Sequence, residues 1–252
     1  MQFFLAVSWS KNNSMLTAKS AIIVNNKNGK ILYDKNSRIR LPAASTVKIL
    51  TAIIVAERLD FEQWVKISKR AAGITPTKVY LTENAKYRVK DLLQAFLINS
   101  ANDAGVALAE AVSGSEIKFA HLMNKKAKEL GAKDSFFLNA TGLPENGKKQ
   151  YSTTYDLALF MKEFLTYPHL VKIMQAKKAT IVGTDSKKIQ LRNHNKLLEE
   201  ASFKLIGKTG YTKAAKHCFL GMFPKGRHKL IVAILGSRRP WADLKTLIRK
   251  KY

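Results

Sequence analysis

The chain has 252 residues, 46% of them hydrophobic, which is enough to bury a substantial core as one domain or two lobes folded together, and excludes a disordered chain. Forty-four Lys and Arg against 18 Asp and Glu give a formal charge of +26, predicting a positive surface drawn to polyanions such as nucleic acid, anionic lipid or acidic wall polymers. The single cysteine, Cys218, excludes an intramolecular disulfide and any multi-cysteine metal site, and five scattered histidines without ligand spacing argue against a metal enzyme. Cys218 itself reads as a small buried hydrophobe.

In chain order, residues 1–16 hold a short apolar run with no preceding positive charge, which reads as a weak or truncated export signal. Nowhere do about 18 apolar residues run together, so no membrane-spanning segment is expected. From position 19, Ser-Ala-Ile-Ile-Val, a turn rich in Asn and Gly, and Ile-Leu-Tyr predict a β-hairpin. After Pro42, the stretch from Ser45 to about Arg58 is apolar almost all round, which predicts a helix buried inside the domain. A short strand is expected over 64–68. The stretch 89–199 is mostly helical by pattern, with helices over 91–98, 104–112, 116–130 and 153–165. Strand signals return over 203–208, 217–223 and 229–236, with a turn at 224–227, and a basic amphipathic helix over 241–252 closes the chain. Strands from both chain ends then form one antiparallel sheet, interrupted by a helical lobe over roughly 70–200. The class is α+β.

Three short motifs carry chemistry. Ser45 and Lys48 stand at i and i+3, so they share a face in the first turn of the buried helix. A lysine there is desolvated and close to a helix N-terminus, both of which lower its pKa, and a neutral amine beside a hydroxyl is a general base for a nucleophile. The same spacing occurs at Ser8 to Lys11 and Ser115 to Lys118, where it reads only as a tail and a solvated helix start. What separates Lys48 is its apolar setting of Val47, Ile49 and Leu50. The second motif is Ser100-Ala-Asn102 between two apolar helices, readable as a helix N-cap or as a loop that brings a hydroxyl and an amide into a cleft. The third is Lys208-Thr-Gly-Tyr211 at the end of an apolar strand. An ammonium, a hydroxyl and free backbone amides on an edge strand suit a substrate that ends in a carboxylate and adds as an extra strand.

Ser-x-x-Lys, then Ser-x-Asn, then Lys-Thr-Gly, in this order, is the set found in active-serine β-lactamases and penicillin-binding proteins. From about 17 to 249 the chain resembles the low-molecular-mass penicillin-binding proteins that are serine D-alanyl-D-alanine carboxypeptidases. The matching pieces include Asn28-Gly-Lys-Ile-Leu-Tyr33, Leu41-Pro-Ala-Ala-Ser-Thr-Val-Lys48, Asn139-Ala-Thr-Gly-Leu143 and Asn193-His-Asn-Lys-Leu-Leu198. The resemblance implies a peptidase domain over 17–252 that removes the terminal D-alanine from peptidoglycan peptides and is covalently inhibited by β-lactams. It also implies an extracytoplasmic location and no cofactor, metal or nucleic-acid partner.

Residue by residue, it makes Ser45 the nucleophile, Lys48 its base and Ser100 the relay to the leaving D-alanine. Asn102 would hold the peptide amide, and Lys208 and Thr209 the terminal carboxylate. Gly210 completes the motif, and the backbone amides of Ser45 and Tyr211 would form the oxyanion hole. An arginine after the last strand, Arg239 or its neighbour Arg238, would assist with the carboxylate. Lys216 departs from the family's usual glycine, as do 74–78 and 83–85 from its usual residues, which bears on substrate preference. The chain ends after one basic helix, so the extra C-terminal β-domain and anchoring tail of many relatives are expected to be absent. A D,D-endopeptidase of the same fold and a catalytically inactive polyanion-binding relative remain as alternative readings.

Overall fold

A computed structural model describes residues 16–145, 147–200 and 203–252. Almost all of the signal-like segment 1–16 lies outside the described residues. Strand β1 (Ser20–Asn25) turns through Asn25 to Lys30 into β2 (Ile31–Lys35), as the sequence predicts. The turn closes locally, because the Lys27 amide donates to Asn25 Oδ1 and Gly29 takes a φ of 71°, a left-handed conformation that suits glycine.

The last three strands come from the other end of the chain: β7 (Ile206–Thr212), β8 (Lys216–Lys225) and β9 (His228–Ser237). Together they form one antiparallel five-stranded sheet in the order β2-β1-β9-β8-β7, with β1 paired to β9 from Ser20 opposite Leu235 to Asn25 opposite Leu230. Strand β9 is central and apolar on both sides, and its period-two alternation feeds two cores. Ile231, Ala233 and Leu235 point toward the helices, while Leu230, Val232 and Ile234 point to the other face. That other face is covered by α8 (Pro240–Arg249) through Leu244, Leu247 and Ile248.

Helix α1 (Lys48–Arg58) follows a 3-10 turn over Ala44–Val47 and is buried from Lys48 to Val55, the burial its uniformly apolar sequence predicts. Around it pack α3 (Val89–Ile98), α4 (Asn102–Ser113), α5 (Glu116–Glu129) and α6 (Thr154–Phe164). The Thr153 hydroxyl accepts from the Asp156 amide and starts α6 with a side-chain cap. Smaller elements complete the lobe: β3 (Trp64–Lys66) with β4 (Lys86–Arg88), α2 (Lys69–Gly73), α7 (Pro168–Gln175), and a hairpin of β5 (Lys178–Val182) and β6 (Lys188–Arg192). The fold is α+β, as expected.

Most element ends move by a residue or two from the sequence reading, and the differences near the site matter most. Strand β7 starts and ends later than 203–208, so Lys208-Thr-Gly lies in its middle rather than at its end. Helix α8 stops at Arg249, and the last residues continue without helix, Tyr252 folding back to donate to the Leu247 carbonyl at 2.7 Å. The capping role offered for Ser100-Ala-Asn102 is not realised, since α4 begins after Ala101 with no side-chain cap bond. Ser115, by contrast, accepts from the Lys118 amide and is the plain helix start its surroundings suggest. Among the described residues no helix is long and apolar enough to cross a membrane.

Candidate active site

Three elements meet at one point. The 3-10 turn brings Ser45 to the head of α1, the left-handed Ser100 (φ 60°) joins α3 to α4, and β7 passes alongside on the free edge of the sheet. Lys48 Nζ is fully buried and lies 3.0 Å from Ser45 Oγ, 3.2 Å from the Ser100 carbonyl oxygen and 2.7 Å from Asn102 Oδ1. The Phe96 ring lies 5.3 Å from the amine. Burial, and then the charge of Lys208, hold the Lys48 amine well below the ordinary lysine range.

Lys208 is also buried, and its Nζ donates to the Thr209 carbonyl at 3.2 Å. Burial pushes it down to about 7. Gly210 is required by the packing of β7 on the turn: a Cβ there would stand 2.9 Å from the Ser45 amide nitrogen. The backbone of β7 thus runs against the amide of Ser45. An open cleft of about 370 Å³ lies in front, lined by Ser45, Ser100, Thr209, Gly210 and Tyr211, with Tyr211 packed on His217 at 4.7 Å between ring centroids.

Two of the expected site residues sit differently. Asn102 is buried and does not line the cleft: its Oδ1 accepts from Lys48 and its Nδ2 donates to the Thr75 carbonyl at 3.1 Å. Its first office is to orient the lysine and pin the 75–77 segment, whose Thr77 carbonyl also accepts from the Asn102 amide at 2.7 Å. Arg239 is exposed, and its backbone amide is taken by Thr17 Oγ and Ser237 Oγ, while its neighbours Pro240 and Trp241 line the cleft. Cys218 is buried beneath Pro42, and burial pushes its thiol up to about 12, so it is unreactive packing. No group of three or more His, Cys, Asp or Glu side chains able to hold a metal ion occurs among the described residues.

Comparison with known proteins places this geometry. Residues 7–239 match the model of the peptidase S11 family, described as D-alanyl-D-alanine carboxypeptidase. The chain belongs to that family. The D-alanyl-D-alanine carboxypeptidase DacF of Bacillus subtilis is 39% identical over 228 residues, spanning 88% of this chain and 58% of the relative. This chain therefore spans less than two thirds of that relative's length. A crystal structure of a D-alanyl-D-alanine carboxypeptidase from Mycobacterium tuberculosis superposes with a TM-score of 0.86 at 27% identity, covering 92% of this chain and 89% of that one. Penicillin-binding protein D2 from Listeria monocytogenes, solved in an ampicillin-bound form, gives a TM-score of 0.81 at 30% identity and covers 93% and 96%.

Within this D-alanyl-D-alanine carboxypeptidase fold, sequence reasoning passed over several contributors. His194 lines the cleft, and burial, Lys208 and Lys48, in that order, push its imidazole down to about 4, so it stands neutral beside two lysines. The motif containing it was visible, but nothing in the sequence placed it on the cleft lining. Asp103 is buried and accepts from the Val79 and Leu81 amides, fastening the 75–81 segment to α4. Asn195 donates to the Leu205 carbonyl at 2.7 Å and so anchors the entry to β7.

Proposed function

We propose that the protein is a serine D,D-carboxypeptidase that removes the terminal D-alanine from peptidoglycan peptides. The observation that carries this reading is the buried Lys48 amine set 3.0 Å from the Ser45 hydroxyl. With the amine neutral, its two N–H groups donate to Asn102 Oδ1 and the Ser100 carbonyl, and its lone pair faces Ser45. Ser45 Oγ attacks the carbonyl carbon of the scissile bond as its proton passes to Lys48. The backbone amides of Ser45 and Tyr211 hold the developing oxyanion, a contribution of about 2.7–4 kcal/mol for each donor in acyl transfer. The tetrahedral species collapses, the C–N bond breaks, and the Ser100 hydroxyl relays a proton to the leaving amine. Water then hydrolyses the Ser45 ester by the reverse proton path, returning the free enzyme. The C-terminal carboxylate is met by Lys208 and Thr209, with Arg239 or Arg238 approaching from beyond Pro240. Asn102, buried behind the cleft, acts through Lys48, whose amine it orients.

A β-lactam presents a strained amide and a carboxylate in the same relation, so the same steps would leave it covalently bound to Ser45. The domain carrying this chemistry runs over 17–252, and its substrate places it outside the cytoplasmic membrane. There its excess of basic side chains holds it to anionic envelope polymer or lipid rather than to nucleic acid.

Intact-protein mass spectrometry after penicillin treatment is expected to show one adduct, on the peptide containing Ser45, which Ser45→Ala abolishes. Product analysis should show D-alanine release from a pentapeptide, with slower cleavage of a crosslinked dimer. An adduct on Ser100 would overturn the assignment, and faster cleavage of the dimer would make the protein an endopeptidase.

A further inference from the structure

A second groove of about 440 Å³ lies beside the nucleophile and is not used by the chemistry above. Its floor is Pro42 and Ala44, the latter adjacent to Ser45, and one wall is Thr212 and Ala214, where β7 ends. The opposite wall is Gly142 and Pro144 with Lys148 to Tyr151, and Gly142 (φ 80°) packs so tightly on Ala44 that a Cβ would stand 2.1 Å from its carbonyl oxygen. Lys148 and Lys149 stand on the rim, exposed, and neither forms an ion pair among the described residues. Arg40 joins them, but its charge is engaged by Asp134 at 2.7 Å. Glu145, the acidic residue closest in sequence, turns its carboxylate to Asn139 at 3.1 Å and lines a neighbouring cavity, which Lys148 also borders, so that Lys149 is the rim lysine facing this groove alone. The floor is apolar and the free charge on the rim is positive.

The direction of β7 says what reaches this groove. If the substrate's C-terminal carboxylate is met at Lys208 and Thr209, a peptide added antiparallel to β7 runs the other way, past Tyr211 toward Thr212. At about 3.3 Å per residue, the residue about two to three positions upstream of the scissile bond enters between Ala214 and Lys149. We propose that this groove is a subsite for an acidic residue of the substrate peptide upstream of the scissile bond, its carboxylate held by Lys148 and Lys149. The subsite rests on the carboxypeptidase reading and adds to it a preference for acidic stem peptides over neutral ones.

The test uses two peptides ending in D-Ala-D-Ala that differ only in the third residue before the scissile bond, one with a free side-chain carboxylate and one with it amidated. D-alanine release is read as the ratio of kcat/KM for acid over amide within each protein, so a general loss of activity cancels. Wild type is expected to favour the acid about three- to tenfold at low salt. Lys148→Gln with Lys149→Gln should bring the ratio to about one, and Lys148→Glu with Lys149→Glu should invert it, each with the melting temperature as the check on folding. A wild-type ratio of one, or a ratio unchanged in both double variants, would overturn the subsite while leaving the carboxypeptidase reading intact. Failure of wild type to release D-alanine from either peptide would remove that reading and the subsite with it.

Discussion

A lysine side chain buried without a carboxylate partner is costly, and position 48 is tolerable only because the amine can be neutral and still satisfy its hydrogen bonds. Asn102 and the Ser100 carbonyl supply two acceptors and Ser45 the third neighbour. This part of the site was legible in the sequence, since a charged residue inside an apolar run at three residues from a serine is a local conflict with few structural resolutions. The motif order also marked Ser100 and Asn102 as site residues, but not as the acceptors of the Lys48 amine, because they are more than fifty positions away and their spacing alone reads equally as a helix cap. On the proposed reading Lys208 has the opposite duty, to be charged when it meets a carboxylate, while burial holds it down to about 7. The signs then follow. Acylation rises with pH as Lys48 loses its proton at its lowered pKa, and falls as Lys208 loses its proton near 7 in the free enzyme. The kcat/KM profile for D-alanine release, measured from about pH 4 to about 10, should therefore show an alkaline limb near 7 if Lys208 must be charged. In Lys208→Arg the guanidinium stays charged, so the alkaline limb should move well above its wild-type position even if the rate is lower. A limb that stays in place would assign it to another group.

At the level of elements, the site exists because a 3-10 turn and an edge strand touch. Gly210 makes that contact possible, and Gly210→Ala would set a Cβ 2.9 Å from the Ser45 amide and 3.1 Å from Ala44 Cβ. Strand and turn would have to separate, withdrawing the β7 backbone from the Ser45 amide and, on the proposed reading, one wall of the oxyanion hole. The expected result is a loss of about a hundredfold or more in the rate of penicillin acylation, with only a small fall in melting temperature, because the strand stays paired to β8. A large fall in melting temperature with normal acylation would reverse that account. The elements that sequence reading found share one property, a concentrated apolar signal: α1 is apolar all round, β1 and β9 are rich in β-branched residues, and β8 carries the apolar run from Cys218 to Phe223. Those it passed over do not. Strands β5 and β6 bury only alternate residues under lysine-rich sequence, and α7 is a two-turn helix opened by Pro168. The late start of β7 has a similar cause, since Phe203 and Leu205 are apolar and buried but reach the sheet only at Ile206.

The molecule as a whole is tied together by contacts between its two ends. Buried Asp243, in α8, accepts from the Thr17 amide and hydroxyl, the Ala18 amide and the Ser237 hydroxyl, so β1, β9 and α8 close the sheet as one unit. Charge is distributed less economically. Only eight basic side chains enter ion pairs among the described residues, against 44 in the chain, so most of the +26 faces solvent. On the proposed reading such a surface would gather anionic polymer or lipid by long-range attraction rather than by a shaped contact. Attraction of that kind is screened: between about 0.05 and about 0.5 M salt the Debye length falls from above 10 Å to a few ångströms. Protein bound to envelope preparations, or to vesicles containing anionic lipid, should therefore be mostly released across that range and stay free of vesicles made from neutral lipid. Penicillin labelling in solution should change little over the same range, because the Lys48 amine that meets Ser45 is buried, where salt screens weakly. Protein that remains bound at high salt and leaves only with detergent would show insertion of apolar surface, and would overturn the electrostatic account of where this enzyme is held.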